Sequence, residues 1–543
     1  MKYVSLKLGL NNMAEKAAPS SESVFKGLRG IFWPIHGFEL KKFLPMGIMM
    51  MCILFNYTIL RDTKDTLMVH APGGGAECLS FLKLYGVTPA AILFMIVFIK
   101  LANIFSRERL FYIVLAPFLI FFAAFAFIIY PNKEALHMSL ASIQTAQASL
   151  PNLHWFIPVV GNWSFSMFYI LSELWGSVVL SMLFWQFANE ITKVTEAKRF
   201  YGLFGMVGNI GLLLSGPIII LTAKYAKSLP KHTDSFGVNL KLLMSCVLIS
   251  GLVAIFTYRW MNKNVLTDPA LYQPGQGKKK EKAKLSVLES FRYILKNPYL
   301  GLIAILVVSY GVAINLVEGV WKGQIKIAFP DMNDYNMFMG QFSTWTGAIT
   351  ILLMVVGNNI LRKLSWTKAA ILTPIMVLVT SSIFFFVVWS GAKSTPFAPL
   401  MGTTVVLVAV LVGQIQNVLS KGTKYSLFDS TKQMAYIPLD QEAKVKGQGA
   451  VEVIGGRAGK SGGAFIQSTL LAVIGGSVSL ASLTFILGPL VIVICSVWAF
   501  SVLGLGRKFS ALIASKEAEK ASEQATSAKA APVTAKATAE ASN

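Results

Sequence analysis

Charged residues lie inside several long apolar stretches of this sequence. Glu173 stands among aromatic and aliphatic residues, far from either end of one stretch, and Arg457 and Lys460 lie within another. On insertion scales a charge at the centre of a bilayer costs about 2.5–3.5 kcal/mol, so such residues are functional candidates by default. The chemistry that they predict is electrostatic binding of a charged ligand.

The first apolar stretch ends in the polar motif Asn56-Tyr57-Thr58-Ile59-Leu60-Arg61-Asp62-Thr63-Lys64-Asp65-Thr66. Arg61 and Asp65 are four residues apart, so on a helix they can form an ion pair. Lys64 points elsewhere, and we expect it to be free for a substrate. The alternative is that this motif is only the polar mouth of a helix.

Two carboxylates extend this pattern. Glu173 is too far from the ends of its stretch to reach water, so it must face a cavity or pair with a cation; the alternative to substrate contact is a purely structural pair. Glu318 and Lys322 are four residues apart. A local ion pair between them is therefore the alternative to a role in binding.

The sequence Gly459-Lys460-Ser461 matches the end of the phosphate-loop pattern G-x-x-x-x-G-K-[ST]. Ile454 stands where the first glycine should be, and no strand or soluble domain surrounds the motif, so a nucleotide-hydrolysing loop is excluded. A membrane ATPase would also need a Mg²⁺-binding carboxylate in a soluble domain, for which the chain has no room.

The glycines around this motif favour helix packing instead. Gly455, Gly459 and Gly463 share one face of a helix, where a neighbouring backbone can approach closely. Arg457 and Lys460 then project into the remaining space. Two cations without nearby carboxylates suit a polyphosphate, because arginine forms forked hydrogen bonds and lysine acts as a point charge.

The elements that position these residues are membrane helices. Of 543 residues, 54% are hydrophobic and 14% are charged, far less charge than a soluble protein carries. A run of about 20 apolar residues spans a bilayer as a helix. The sequence therefore predicts an all-α membrane protein of about twelve transmembrane helices, at 44–61, 84–105, 109–130, 155–187, 201–223, 242–261, 299–321, 337–360, 367–390, 398–420, 448–476 and 480–505.

The net charge of +23 reflects topology. With a cytoplasmic N-terminus, 36 of the 49 Lys and Arg residues fall on the cytoplasmic side, 11 fall outside, and 2 lie in the eleventh run. This bias follows the positive-inside rule, so both termini are predicted to be cytoplasmic and no nucleic-acid partner is needed. The four cysteines and five histidines are scattered, and we expect no metal or other cofactor.

An internal repeat divides the helices into six and six. Leu171-Ser172-Glu173 matches Leu419-Ser420-Lys421 at an offset of 248, and two further short matches have offsets of 246 and 247. Parallel halves indicate a major-facilitator-like arrangement with the substrate between them. The repeat places Lys421 opposite Glu173. The predicted parts are an N-terminal segment 1–43, bundles 44–261 and 299–505, a basic central loop 262–298 and a mobile, partly helical tail 506–543.

The same residues give the sequence its resemblance to a known family. It resembles the ATP/ADP translocases of obligate intracellular bacteria and plant plastids, and most of all the chlamydial members. The matching stretches are the first motif, Ser172-Glu173-Leu174-Trp175-Gly176-Ser177, Phe187-Ala188-Asn189-Glu190-Ile191-Thr192, Glu196-Ala197-Lys198-Arg199-Phe200-Tyr201, Tyr436-Ile437-Pro438-Leu439-Asp440, Lys446 and Gly459-Lys460-Ser461-Gly462-Gly463.

The resemblance implies a transporter and not an enzyme: it exchanges ADP for ATP across a bacterial inner membrane, with or without accompanying phosphate. The family's important charged positions match Lys64, Glu173, Glu318 and Lys460. We expect Lys64 and Lys460 to hold the phosphates and the two glutamates to pair with them when the site is empty. The further candidates for substrate binding are Arg457, Lys446 and Lys421.

Partners are predicted from the same resemblance. ATP and ADP are the expected substrates and the lipid bilayer is the surroundings; no obligatory protein partner is evident. The alternative function is a nucleotide–proton symporter of broader nucleotide specificity, with Glu173 or Glu318 carrying the proton.

Overall fold

Apolar runs of this length fold as helices because, in a bilayer, only a helix or a closed barrel satisfies its own backbone hydrogen bonds. The computed structural model describes residues 33–230, 232–269, 271–272, 292, 296–391, 404–440, 447–448, 451 and 455–537. In these residues all regular structure is helical, which confirms the predicted fold class. The long helices are α1 (Gly37–Val69), α2 (Cys78–Ile104), α3 (Arg107–Leu136), α4 (Trp163–Ile191), α5 (Arg199–Lys227), α6 (Ser235–Asn264), α7 (Pro298–Ala328), α8 (Met332–Leu361), α9 (Trp366–Gly391), α10 (Val405–Ala435), α11 (Gly456–Ile474) and α12 (Thr484–Ala537).

Eleven of the described helices are long and apolar enough to cross a membrane. The exception is α11, a helix of 19 residues whose first turns carry Arg457 and Lys460. It begins at Gly456, later than the predicted run 448–476, part of which lies outside the described residues. The last helix continues well past residue 505, where the apolar run ends, as far as Ala537.

The two predicted halves correspond to α1–α6 and α7–α12. Within the first half, α1 packs against α4, α5 and α6; within the second, α7 packs against α10, α11 and α12. The halves meet where α5 contacts α8, where α2 contacts α11, and where α1 contacts α8. Most of α2 beyond this contact carries exposed aliphatic side chains, as expected for a helix that faces lipid.

Glycines bring α7 and α11 into backbone contact. A Cβ placed on Gly459 would lie 3.0 Å from the Cα of Gly311, and one placed on Gly463 would lie 3.1 Å from the carbonyl oxygen of Val312. Gly455 faces Val307 on the same helix. The predicted glycine face is therefore confirmed, and its partner is α7.

The two halves also bond to each other at one end of the bundle, where α1 finishes. The connections between α1 and α2, α3 and α4, and α11 and α12 all lie there. These contacts, which we name the closed end, are Trp155 Nε1 donating to the Val478 carbonyl at 2.8 Å, Gly476 N to the Pro151 carbonyl at 2.8 Å, Leu480 N to Glu77 Oε1 at 2.9 Å and Lys326 Nζ to the Gly74 carbonyl at 2.7 Å.

The α7–α11 contact gives a test of the packing. We expect Gly459→Ala to destabilise the protein by about 1–3 kcal/mol, because the new methyl group forces two backbones apart. Thermal unfolding in detergent measures the change. Gly456→Ala is the matched control, since a Cβ there meets nothing within 4 Å. Equal unfolding temperatures for the two variants would contradict this packing.

Candidate functional site

Lys64 and Glu173 form an ion pair between α1 and α4. Lys64 Nζ lies 3.0 Å from Glu173 Oε1 and 3.8 Å from the centre of the Tyr169 ring. The Lys64 side chain is only 2% exposed, whereas that of Glu173 is 18% exposed. Glu173 does pair with a cation, as expected for a carboxylate far from the helix ends. The prediction that Lys64 is free was wrong, because Asp65 also contacts it, at 2.8 Å.

A second ion pair, between Lys421 and Glu318, joins α10 to α7. Lys421 Nζ lies 3.0 Å from Glu318 Oε1, and both side chains are 16% exposed. The local pair predicted between Glu318 and Lys322 is also present, but its distance is longer, at 3.9 Å. The signs are reversed between the halves: α1 supplies a cation to an anion on α4, and α7 supplies an anion to a cation on α10.

The backbone repeats at these positions as well. A π-helical segment, Gly176–Phe184, begins three residues after Glu173, and another, Lys424–Phe428, begins three residues after Lys421. The two segments start 248 positions apart, the same offset as the short sequence match. Such segments are rare and frequently occur at functional sites. Glu173 and Lys421 therefore occupy equivalent places in the two halves.

Asp65 connects the two ion pairs across the halves. Its carboxylate contacts Lys64 at 2.8 Å and Lys322 of α7 at 2.9 Å. Buried charges are tolerated only when they are paired and hydrogen-bonded. Here each charge has neighbours of the opposite sign, in a line that we name the charge row: Glu173, Lys64, Asp65, Lys322, Glu318 and Lys421.

Arg61 does not pair with Asp65, and this prediction was wrong. Its Nε lies 3.0 Å from Asp62 Oδ1, and its Nη2 donates to Ser343 Oγ of α8 at 2.8 Å. Ser343 in turn donates to the Asp62 carboxylate. The physical reason is competition, since the Asp65 carboxylate is already shared between two lysines.

Lys460 and Arg457 lie near the start of α11, three positions apart. The Lys460 side chain is exposed, that of Arg457 is partly exposed, and neither forms an ion pair with a described carboxylate. The neighbouring Ser461 lies 2.9 Å from Thr88 of α2, so Lys460 stands at the boundary between the halves. It does not pair with Glu318, whose nearest cation is Lys421. Lys446 lies outside the described residues.

Lys83 is a central cation that sequence reasoning missed. The predicted second helix began at residue 84, which left Lys83 in a connecting loop, but α2 begins at Cys78. Its Nζ donates to Asn315 Oδ1 of α7 at 2.7 Å. The sequence feature that indicates a helical position for Lys83 is its location between Leu82 and Leu84.

The centre of the described bundle carries more positive than negative charge. It has six cations and four anions, a surplus of two. Because the charge row and the Arg61–Asp62 pair are internally compensated, the surplus resides on cations without a carboxylate partner. The cations are Arg61, Lys64, Lys83, Lys322, Lys421 and Lys460; the anions are Asp62, Asp65, Glu173 and Glu318.

The two lysines without a carboxylate partner suit binding of an anion. Within the described residues no group of three or more His, Cys, Asp or Glu side chains could hold a metal ion. Lysine ammonium groups bind phosphates as point charges. A multiply charged anion placed between the halves would contact cations of both.

Comparison with known proteins identifies the family. Residues 18–509 match the model of the TLC ATP/ADP transporter family. The chain is 49% identical over 508 residues to ADP,ATP carrier protein 1 of Chlamydia pneumoniae, covering 93% of this chain and 98% of the relative. The Chlamydia trachomatis protein of that name is 51% identical, covering 92% and 94%, and the Rickettsia prowazekii protein is 46% identical, covering 92% and 99%.

This chain belongs to the TLC ATP/ADP transporter family. It is a transporter and not an enzyme, and the predicted resemblance is confirmed.

Solved structures confirm the fold of the transporter. A bacterial homologue of the iron transporter ferroportin in an inward-facing state superposes with a TM-score of 0.52 at 12% identity, covering 88% of this chain and 99% of that one. A D-xylose–proton symporter gives a TM-score of 0.52 at 13% identity, covering 85% and 97%. At these identities the likeness shows the major-facilitator-like fold alone.

The Lys421–Glu318 pair can be tested by a double-mutant cycle in the transporter. Lys421→Met removes the nearest cation from the Glu318 carboxylate. We therefore expect Glu318→Gln to destabilise the Lys421→Met variant less than it destabilises the wild type. The coupling energy should be about 0.5–3 kcal/mol, as for residues in direct contact. Thermal unfolding of the four proteins in detergent measures it.

A matched cycle combines Lys421→Met with Glu196→Gln, whose partner is Lys42 at 2.7 Å. These two changes should be additive. If the Lys421–Glu318 cycle were equally additive, the two side chains would not form the pair described.

Proposed function

We propose that this transporter exchanges ATP for ADP across a bacterial inner membrane by alternating access. The observation that carries the proposal is the surplus of two positive charges held jointly by helices of both halves. Nucleotide phosphates are multiply charged anions with several acceptor oxygens. The relatives described above are named ADP,ATP carriers, which favours ATP and ADP over other polyanions.

In this proposal the phosphates bind between Lys460 of α11 and the charge row. Lys460 is exposed and unpaired among described residues, so it meets the substrate without breaking an existing bond. Lys64 is buried and shared by Asp65 and Glu173. A phosphate therefore reaches Lys64 by replacing Glu173, whose side chain is the more exposed of the pair. Arg457 and Lys421 are additional candidate contacts.

The Asp65–Lys322 contact gives a physical reason for exchange instead of one-way transport. Both residues lie within two turns of the closed end, on α1 and α7. Opening that end separates these helices, so Asp65 keeps only Lys64 and Lys322 keeps only the longer contact with Glu318, at 3.9 Å. Breaking a buried pair costs about 3–5 kcal/mol, which slows reorientation of the empty transporter by roughly 10²–10⁴-fold. A bound phosphate supplies negative charge to Lys322 in place of Asp65 and so lowers this barrier.

The distribution of basic residues orients the transporter. Because 36 of the 49 Lys and Arg residues are predicted from the sequence to lie on one side, we place both termini and the central segment 262–298 in the cytoplasm. The closed end then faces outward. Most of the central segment lies outside the described residues.

The alternative of nucleotide–proton symport is not preferred. It was predicted because Glu173 and Glu318 lie inside the bundle, but each contacts a lysine at 3.0 Å. These carboxylates have a structural reason to be charged that does not require a proton carrier. The names of the relatives also favour exchange.

Exchange is tested with purified transporter in lipid vesicles. We expect uptake of labelled ATP into vesicles loaded with ADP to exceed uptake into empty vesicles by at least about tenfold, given the barrier estimated above. Collapsing a pH gradient with an uncoupler should leave the exchange rate unchanged. Equal uptake into loaded and empty vesicles would refute exchange, and loss of uptake on uncoupling would favour the symporter.

A further inference from the structure

Lys83, which is partly buried, differs from the other cations at the centre of the bundle in the partner that it contacts. Lys64, Lys322 and Lys421 each contact a carboxylate within 3.0 Å. Lys83 Nζ instead donates to the neutral amide oxygen of Asn315 at 2.7 Å. An amide oxygen compensates an ammonium charge only in part. The ammonium group also has three donors, of which this bond uses one.

Local structure fixes Lys83 in this position. It lies in a π-helical segment of α2, Leu82–Val87. Thr88 N–H and Thr88 Oγ1 both donate to the Lys83 carbonyl, the hydroxyl at 2.8 Å. Thr88 Oγ1 also lies 2.9 Å from Ser461 Oγ of α11. Because the Thr88 proton is already used, Ser461 is the donor in this contact, and it joins the backbone of Lys83 to the residue beside Lys460.

Hydrogen bonds also fix the position of Asn315. Its Nδ2 donates to the Gly311 carbonyl at 2.8 Å, which leaves Oδ1 directed at Lys83. Its own carbonyl accepts from Gln467 of α11 at 3.2 Å. The amide therefore has a defined orientation, and the hydrogen bond from Lys83 crosses from the first half to the second.

We propose that Lys83 is a further phosphate-binding residue of the transport site, held ready by Asn315 until the nucleotide arrives. Lys83 and Lys460 stand on the two helices joined by the Thr88–Ser461 contact, one from each half. Neither has a carboxylate of its own among the described residues. An anion between them supplies the negative charge that both lysines lack and fills the unused donors of Lys83. This inference rests on the proposed function and adds a specific ligand to that site.

The test measures ADP affinity in purified full-length transporter. Lys83→Gln keeps a donor for Asn315 and removes the charge, so we expect the Kd for ADP to rise about tenfold, equivalent to ~1.4 kcal/mol. Lys83→Arg keeps the charge and should stay within about threefold of wild type. Competition by pyrophosphate, which shares only the phosphates with ADP, should weaken in the Gln variant to the same extent.

Lys326→Gln is the matched control. Lys326 is also partly buried and donates at 2.7 Å to a neutral oxygen of the other half, the Gly74 carbonyl, but at the closed end. Its variant should bind ADP like wild type. Unchanged ADP affinity in Lys83→Gln, with wild-type binding intact, would overturn the inference while sparing the proposed function. Absence of ADP binding by the wild type would instead overturn the proposed function.

These affinities can be compared only if the variants are folded, which thermal unfolding in detergent measures. If Lys83→Gln were unstable, Asn315→Asp gives an independent test, because it places a carboxylate beside Lys83 and neutralises its charge. Weaker ADP binding by this variant supports the inference, and wild-type affinity contradicts it.

Discussion

The structure depends on one constraint: a charge inside a membrane bundle must be compensated at every stage. Asp65 shows how this is met, because its carboxylate is shared between Lys64 of one half and Lys322 of the other, at 2.8 and 2.9 Å. The same contact that stabilises buried lysines therefore ties the halves together. The contact between the halves, the transport site and the proposed exchange all depend on which carboxylate pairs with each cation.

Much of the fold could be predicted from the sequence, because apolar length and basic loops are local signals. Glu173 and Lys460 were identifiable for the same reason, since each interrupts an apolar run. The glycine face of α11 followed from its spacing. Asp65 and Lys322 could not be paired in this way, because they are far apart in the chain and meet only when α1 lies beside α7. The spacing rule instead favoured Arg61, which bonds to Asp62.

Lys83 shows a different limit. Hydropathy places a helix boundary where apolar residues begin, so a lysine near that point is predicted to lie in a loop. The α2 helix starts earlier, and its π-helical segment and bond to Asn315 place Lys83 at the centre. The reversed signs of the Lys64–Glu173 and Glu318–Lys421 pairs could not be predicted either, because a sequence repeat does not show which residue each charge pairs with.

The central claim is that cations from both halves bind the phosphates of the nucleotide, and Lys460 tests it most directly. It is exposed and outside the charge row, so Lys460→Gln should leave the fold intact. The measurement is ADP binding to purified transporter, with Lys508→Gln, an exposed lysine on α12, as control. We expect Lys460→Gln to bind ADP about tenfold more weakly than the wild type, and we expect the control to bind ADP like the wild type. Equal affinity in both variants would contradict the claim.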